Sequence, residues 1–340
     1  MAASVGKKLA FTAILAVGAL GLAEGLARLV PIPTDTSNFR PDDLLCSSDC
    51  LDGAASLPVL PKGLAMQPLE RVGWAFKPNS QDVQGNVVVD INRLGLRGPD
   101  PELPKPAGRV RVMTLGDSSI FGYGVEDEQV FAAVALSELP DADLVTGAIP
   151  GHDTHQSLAV LESIGAEVHP DVVLIGNLWS DLYHEPQSEG PRYDFALYRH
   201  AVRLLTPFLE PRKIGWLDEG SGAGVPGPRK LPRTGLGVYQ VNLALLASTA
   251  RGLGAEPVFV LLPSPWDATG EQVPDWVATY RESMRAVADE VDAELLDGPE
   301  LFVDHPSGLK LFFDQVHPSE EGHQLLGEAL APLVVAAAER

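Results

Sequence analysis

From residue 109 onward, short apolar runs alternate with longer amphipathic stretches, in the order expected of repeated strand–helix units. Several of the short runs are continuously apolar, which is typical of parallel strands covered on both faces. Strands are predicted at 110–115, 142–146, 171–175, 257–262 and 293–296, and helices at 130–139, 156–164, 238–253, 276–290 and 320–338. This alternation predicts an α/β fold of three layers, with about five parallel strands between helices.

The N-terminus follows a different pattern. Lys7 and Lys8 precede an apolar run over 9–23, which Glu24 ends. A bilayer span needs about 17–25 apolar residues, so this run is sufficient only if Glu24 lies close to the outer interface, with the two lysines inside. We expect 1–30 to be an uncleaved membrane anchor; the alternatives are a cleaved signal peptide and a buried helix of a cytosolic protein.

A Pro-, Ser-, Thr- and Asp-rich stretch over 31–60 is typical of a linker. It contains Cys46 and Cys50, the only two cysteines of the chain. In an oxidising compartment we expect these two to form a small-loop disulfide, and the alternative is a pair of free thiols. Both leading interpretations of the N-terminus export the rest of the chain, so an extracytoplasmic location is expected.

The remaining sequence divides into an extension and a domain. Residues 61–107 contain short extended pieces such as 86–92, which has strand composition. Residues 108–340 form the predicted α/β domain. Within that domain, 182–235 fits no strand–helix unit and is rich in Gly and Pro, so we expect an insertion over the functional edge of the sheet.

Charge and cysteine content narrow the function classes. The 340-residue chain has 46 acidic and 25 basic side chains, a formal net charge of −21 at pH 7. Nucleic-acid binding needs a clustered Lys/Arg face, and no basic run here is longer than two residues. We therefore expect no nucleic-acid partner. Two cysteines also exclude a disulfide scaffold and a four-cysteine zinc site.

Two polar motifs could together carry catalysis. Ser118 directly follows the first predicted strand, in Gly-Asp-Ser-Ser, where N–H groups at a helix start favour a developing oxyanion; the alternative is an ordinary helix cap. Asp314 and His317 are three residues apart, so one turn can let the carboxylate hold the imidazole while its other nitrogen faces a nucleophile. Nucleophile, base and orienting carboxylate are then all present.

These motifs resemble the SGNH, or GDSL, hydrolase family. Residues 115–118 (Leu-Gly-Asp-Ser) match its first block, and 314–318 match its Asp-x-x-His-Pro block. Gly151 matches the second-block glycine whose N–H serves the oxyanion hole, and 72–98 resembles the lead-in of membrane-tethered bacterial members. The resemblance covers about residues 70–335. It implies a flavodoxin-like three-layer fold, with Ser118 as nucleophile, His317 as base and Asp314 as its orienting partner.

The third block departs from the family. There the family has Gly-x-Asn-Asp, and the Asn side chain is the remaining oxyanion donor. Aligned from Pro170 without gaps, Ser180 takes the Asn position and Asp181 is retained, while Asn177 lies three residues earlier. Register favours Ser180 and the better donor chemistry of an amide favours Asn177, so both stay candidates. Losing one such donor costs about 10²–10³ in rate.

The resemblance implies a membrane-anchored serine esterase acting on small, acetyl-type esters of a small molecule or a glycan, with no cofactor and no metal. Two alternatives remain open. If a sugar hydroxyl replaces water, the same site is an O-acetyltransferase. A non-catalytic glycan-binding module is the other alternative; the altered third block favours it, and retention of Ser118, Asp314 and His317 argues against it.

A few further side chains have expected roles. Arg97 is expected to make a fixed structural ion pair, and Asp153 or Thr154 to cap the helix after the second block. Trp179 and Tyr183 either border the substrate or pack in the core, and packing is the more common role of an aromatic residue at a strand end. Tyr123 has no preferred assignment between core and pocket.

Overall fold

The computed structural model describes residues 72–84, 87–137, 139, 141–182 and 232–340, with the backbone of 66–69 and single positions between 19 and 25. The predicted anchor, the Cys46–Cys50 disulfide and most of the predicted insertion lie outside these residues. Within the described part, no helix is long and apolar enough to cross a bilayer.

Two antiparallel hairpins precede the central sheet. The first pairs β1 (Met66–Leu69) with β2 (Gly73–Phe76), and the second pairs β3 (Ser80–Gln84) with β4 (Val87–Ile91). Buried and exposed side chains alternate strictly along β4, as expected of a strand with only one covered face.

The central sheet has five parallel strands: β5 (Val110–Gly116), β6 (Ala142–Thr146), β7 (Val172–Gly176), β8 (Glu256–Leu261) and β9 (Glu294–Asp297). Every bound agrees with its prediction to within one residue. The strand order is β6–β5–β7–β8–β9, which confirms the flavodoxin-like prediction. In such sheets a crevice forms at the carboxyl ends of the strands where the order reverses, here between β5 and β7.

The helices cover both faces of the sheet. They are α1 (Ser118–Phe121), α2 (Phe131–Leu136), α3 (Thr154–Val168), α4 (Trp179–Leu182), α5 (Leu236–Gly252), α6 (Pro265–Thr269), α7 (Asp275–Glu290), α8 (Gly298–Phe302) and α9 (Glu320–Ala338). Helices α2 and α9 pack together in one layer, and α5 packs between α3 and α7 in the other. The three-layer prediction is therefore confirmed.

Two predicted helix lengths were wrong. The helix expected over 130–139 is only the six residues of α2. The helix expected over 156–164 runs over Thr154–Val168, because the side chain of Asp153 caps its first turn and His169 ends it in the left-handed conformation just before Pro170. A residue that precedes proline is disfavoured in the helical region, so the longer helix still ends there.

Arg97 ties the N-terminal extension to the sheet and to the loop after α1. Its backbone bridges Ile91 on one side and Thr146 of β6 on the other. Its buried guanidinium pairs with Asp127 at 2.7 Å, which confirms the predicted ion pair. It also donates to three backbone carbonyls of the same loop, those of Phe121, Gly122 and Val125. The extension is thus anchored close to the end of β5.

Candidate active site

Ser118 is the first residue of α1, directly after β5. The side chain of Asp117 caps this short helix by accepting from the Ser119 N–H at 3.0 Å. The turn needs glycine at the ends of both β5 and β7. A Cβ at Gly116 would lie 2.5 Å from the Ile120 side chain, and a Cβ at Gly176 would lie 2.1 Å from it. These glycines let α1 start tightly against the sheet and present Ser118 at the β5–β7 crevice.

The structure brings Ser118, His317 and Asp314 together. His317 Nε2 lies 2.7 Å from Ser118 Oγ, and His317 Nδ1 lies 2.6 Å from Asp314 Oδ2. The other oxygen of Asp314 accepts from the N–H groups of Val316 and His317, both at 2.9 Å. His317 is fully buried, and only 3% of Ser118 is exposed. The arrangement is a hydroxyl, an imidazole and a carboxylate in a line.

The protonation states follow from these contacts. Burial alone would raise the pKa of Asp314, but the charge of His317, its hydrogen bond and two backbone N–H groups together hold that pKa below its usual range. Asp314 is therefore a carboxylate at neutral pH. That carboxylate accepts a hydrogen bond from a proton on His317 Nδ1, and in this tautomer Nε2 can accept from the Ser118 hydroxyl.

Tyr123 covers the imidazole, a contact that the sequence did not assign. Its ring stacks on His317 with 4.5 Å between centroids, and the ring of Phe313 packs edge-on against it. Phe313 is 41% exposed, so the two aromatic rings extend from the imidazole towards the surface. The sequence distance of 194 residues between Tyr123 and His317 left no local signal for this contact.

Asp117 joins the first block to the third. While its Oδ1 caps α1, its Oδ2 accepts from the N–H groups of Trp179 at 2.9 Å and Ser180 at 3.2 Å. Burial raises the pKa of Asp117, and the N–H groups of Ser119 and Ser180 together with the charge of His317 oppose that rise. One carboxylate therefore sets the position of α4 relative to the Ser118 turn.

The two third-block candidates lie in different surroundings. Asn177 is fully buried; its Nδ2 donates to the His152 carbonyl at 3.3 Å, and its Oδ1 has no hydrogen-bond partner among the described residues. The Ser180 hydroxyl makes no hydrogen bond within the described part of the chain. The retained Asp181 accepts from the N–H and hydroxyl of Thr154, and burial together with the charge of Asp153 raises its pKa to about 7.

Two backbone N–H groups, one in the first block and one in the second, are unused among the described residues. In the residues that the structure describes, neither the Ser118 N–H nor the Gly151 N–H finds an acceptor. Gly151 adopts a left-handed conformation, with φ of +82°, which a glycine adopts without strain. Free N–H groups of this kind can stabilise an oxyanion.

Of the two alternatives for Trp179, the structure supports packing, because the side chain is 1% exposed and lies in the core. Tyr183 lies outside the described residues. Among the residues described, no group of three or more His, Cys, Asp or Glu side chains could hold a metal ion.

His152 is a neutral, buried part of the second-block loop. Burial lowers its pKa to about 3; its hydrogen bond to the Trp74 carbonyl opposes this shift and the charge of Arg233 adds to it. Neutral His152 therefore donates from Nε2 to the Trp74 oxygen, 2.9 Å away. His155, three residues along, lies in the first turn of α3.

This shift predicts a pH dependence of stability. Above the unfolded-state pKa of about 6.5, His152 is neutral in both the folded and the unfolded chain, so it does not make the free energy of unfolding depend on pH. Below that pKa, the unfolded chain binds a proton that the folded chain does not, so the free energy of unfolding falls by about 1.4 kcal/mol per pH unit towards pH 3. In His152→Gln the amide can donate to the same carbonyl without titrating. We expect the stability difference between wild type and variant to shrink from pH 6 to pH 4 by that amount per unit, as measured by urea unfolding. Parallel curves would contradict the neutral assignment.

The sequence matches the model of the GDSL-like Lipase/Acylhydrolase family over residues 114–325. No curated protein matches it significantly. Among solved structures, a lipolytic protein of the G-D-S-L family from Desulfitobacterium hafniense DCB-2 is 18% identical, over 66% of this chain and 99% of its own, with a TM-score of 0.43. A lipase/acylhydrolase from Enterococcus faecalis is 14% identical over 66% and 94%, with a TM-score of 0.42. The acetyl xylan esterase AlAXEase is 14% identical over 65% and 98%, with a TM-score of 0.44.

Proposed function

The chain belongs to the GDSL-like Lipase/Acylhydrolase family of serine ester hydrolases, and from this membership we propose that it hydrolyses small, acetyl-type esters through an acyl-enzyme on Ser118. The observation that carries the proposal is the unbroken line from the Ser118 hydroxyl through the His317 ring to the Asp314 carboxylate, with hydrogen bonds of 2.7 and 2.6 Å.

The proposed reaction has two halves. As Ser118 Oγ attacks the acyl carbonyl, His317 Nε2 takes its proton, and the Asp314 carboxylate stabilises the imidazolium that forms. The tetrahedral intermediate collapses when His317 returns the proton to the leaving alcohol. Water then repeats the sequence on the acyl-enzyme and releases the acid. General acid–base catalysis of this kind contributes about 10²–10⁴ in rate.

The proposed oxyanion hole combines the unused N–H groups of Ser118 and Gly151 with the Ser180 hydroxyl. Two observations favour Ser180 over Asn177. The Asn177 amide already donates to the His152 carbonyl and is sealed from solvent. The Ser180 hydroxyl has no other partner in the described residues, and its backbone is held by Asp117, the residue that also caps the Ser118 helix.

The deep burial of Ser118 and His317 supports a small acyl group, because a bulky acyl chain would have to displace the surrounding side chains. The alcohol part of the substrate stays open between a simple alcohol and a sugar. Transfer to a sugar hydroxyl would use the same acyl-enzyme, so the identity of the product separates hydrolysis from acyl transfer.

We expect the full chain to hydrolyse a short-chain aryl acetate, and Ser118→Ala to lose at least about 10³ of kcat, since no other group can form the acyl-enzyme. Release of the aryl alcohol measures turnover, and trapping of an acetylated Ser118 by mass spectrometry identifies the intermediate. Ser248→Ala is the matched control, because the exposed Ser248 hydroxyl donates to the Leu245 carbonyl of its own helix, α5. Equal rates for wild type and Ser118→Ala would contradict the proposal.

Ser180→Ala is expected to lower kcat about 10²-fold or more with little effect on KM, because the hydroxyl would act mainly in the transition state. Asn177→Ala serves as its comparison. We expect that variant to lower the free energy of unfolding and to change kcat less than Ser180→Ala does. The reverse ranking in kcat, measured at saturating aryl acetate, would assign the third donor to Asn177.

We further propose that residues 1–30 anchor the enzyme outside the cytoplasm, on the basis of Lys7 and Lys8 followed by the apolar run. In a Gram-negative expression host, the full chain is expected in the membrane fraction, resistant to high salt and released by detergent, with its domain accessible to protease added to the periplasm. A chain starting at residue 31 should be soluble in the cytoplasm. A shortened, soluble periplasmic product would indicate a cleaved signal instead, and a soluble cytoplasmic full chain would contradict export.

A further inference from the structure

The peptide group between Pro150 and Gly151 carries the proposed oxyanion donor on one side and a carbonyl on the other. In a planar trans peptide the N–H and C=O bonds point in opposite directions. A contact that fixes the Pro150 carbonyl therefore also fixes the direction of the Gly151 N–H. That carbonyl accepts a hydrogen bond of 3.1 Å from the indole Nε1 of Trp74, in strand β2.

We propose that Trp74 is a positioning residue for the oxyanion hole, acting through the Pro150–Gly151 peptide; the inference rests on the proposed function, in which Gly151 supplies a donor. The indole N–H would hold the peptide plane so that the Gly151 N–H faces the reacting carbonyl. It would also polarise the peptide, because hydrogen bonds in a chain strengthen one another.

The second-block loop around Gly151 needs contacts from other segments to fix its conformation. Gly151 has no side chain to anchor it and is conformationally permissive. Its flanking peptide groups are instead held from both sides by other segments. Trp74 binds the carbonyl before Gly151, and Arg233 Nη1 binds the carbonyl of Gly151 itself at 2.6 Å. The donor is thus aimed by side chains that lie 76 residues before the loop and 82 residues after it.

Trp74 is itself rigidly placed. Its carbonyl accepts from His152 Nε2 at 2.9 Å, and its ring packs edge-on against the His152 ring at 5.3 Å. The guanidinium carbon of Arg233 lies 5.4 Å from the centre of the indole ring, while Arg233 pairs with buried Asp153 at 3.1 Å. These contacts fix the indole against the loop, so its N–H meets the Pro150 oxygen without further ordering.

The test replaces the N–H but keeps an aromatic face for Arg233. In Trp74→Phe we expect kcat for an aryl acetate to fall about 10–100-fold with KM changed less than about twofold, because a donor that is misaimed loses part of the 10²–10³ attributed to a full oxyanion-hole donor. Binding of a trifluoromethyl ketone, which forms a tetrahedral adduct with an oxyanion, should weaken by a similar factor. Trp276→Phe is the matched control, since the Trp276 ring packs edge-on against Trp266 and contacts no second-block carbonyl.

Two further measurements separate the possible outcomes. Ser118-dependent turnover by wild type tests the proposed function by itself, so a failure there is distinguishable from a failure of the Trp74 proposal. The ¹⁵N–¹H amide signal of Gly151, in protein labelled on glycine, reports peptide orientation without any turnover. It should shift in Trp74→Phe and stay in place in Trp276→Phe. Any one of three results would overturn the proposal. The first is an unchanged Gly151 signal, and the second is a kcat equal to that of the control. The third is a parallel fall in kcat, ketone binding and melting temperature, which would indicate a general loss of stability.

Discussion

The carboxylate of Asp117 is the interaction on which the arrangement of the site depends. Burying a carboxyl group is costly unless hydrogen-bond donors replace the lost water. Here three backbone N–H groups do so, one from the helix that starts at Ser118 and two from the start of α4. The loops after β5 and β7 are therefore locked to one another by a single side chain. This carboxylate therefore sets the backbone of Ser180 relative to the Ser118 turn.

The sheet could be predicted almost to the residue, and the reason is physical. Strands such as 172–176 are covered on both faces, so their side chains are continuously apolar and their ends are marked by Gly and Asp. Helix ends were harder. Helix α2, which packs against α9, is shorter than its apolar pattern indicates, whereas α3 continues to Val168, two residues before Pro170.

The same distinction separates the site residues that could be found from those that could not. Ser118, Asp314 and His317 lie in two short local motifs whose spacing suits their chemistry. Tyr123 and Trp74 were not assigned because each acts on a partner that is distant in sequence, and an aromatic residue in a turn or a short strand is equally typical of packing. Trp179 packs in the core. The Tyr123 ring contacts the site, because it stacks on the His317 ring.

The hydrogen bond from Trp74 has a consequence for how this enzyme is delimited. The family model begins at residue 114, so a protein cut at that boundary would keep the triad but lose the first four residues of β5 and the indole that holds the second-block loop. With the proposed role of Trp74, the functional unit includes the β1–β2 hairpin and is larger than the region that the family model matches.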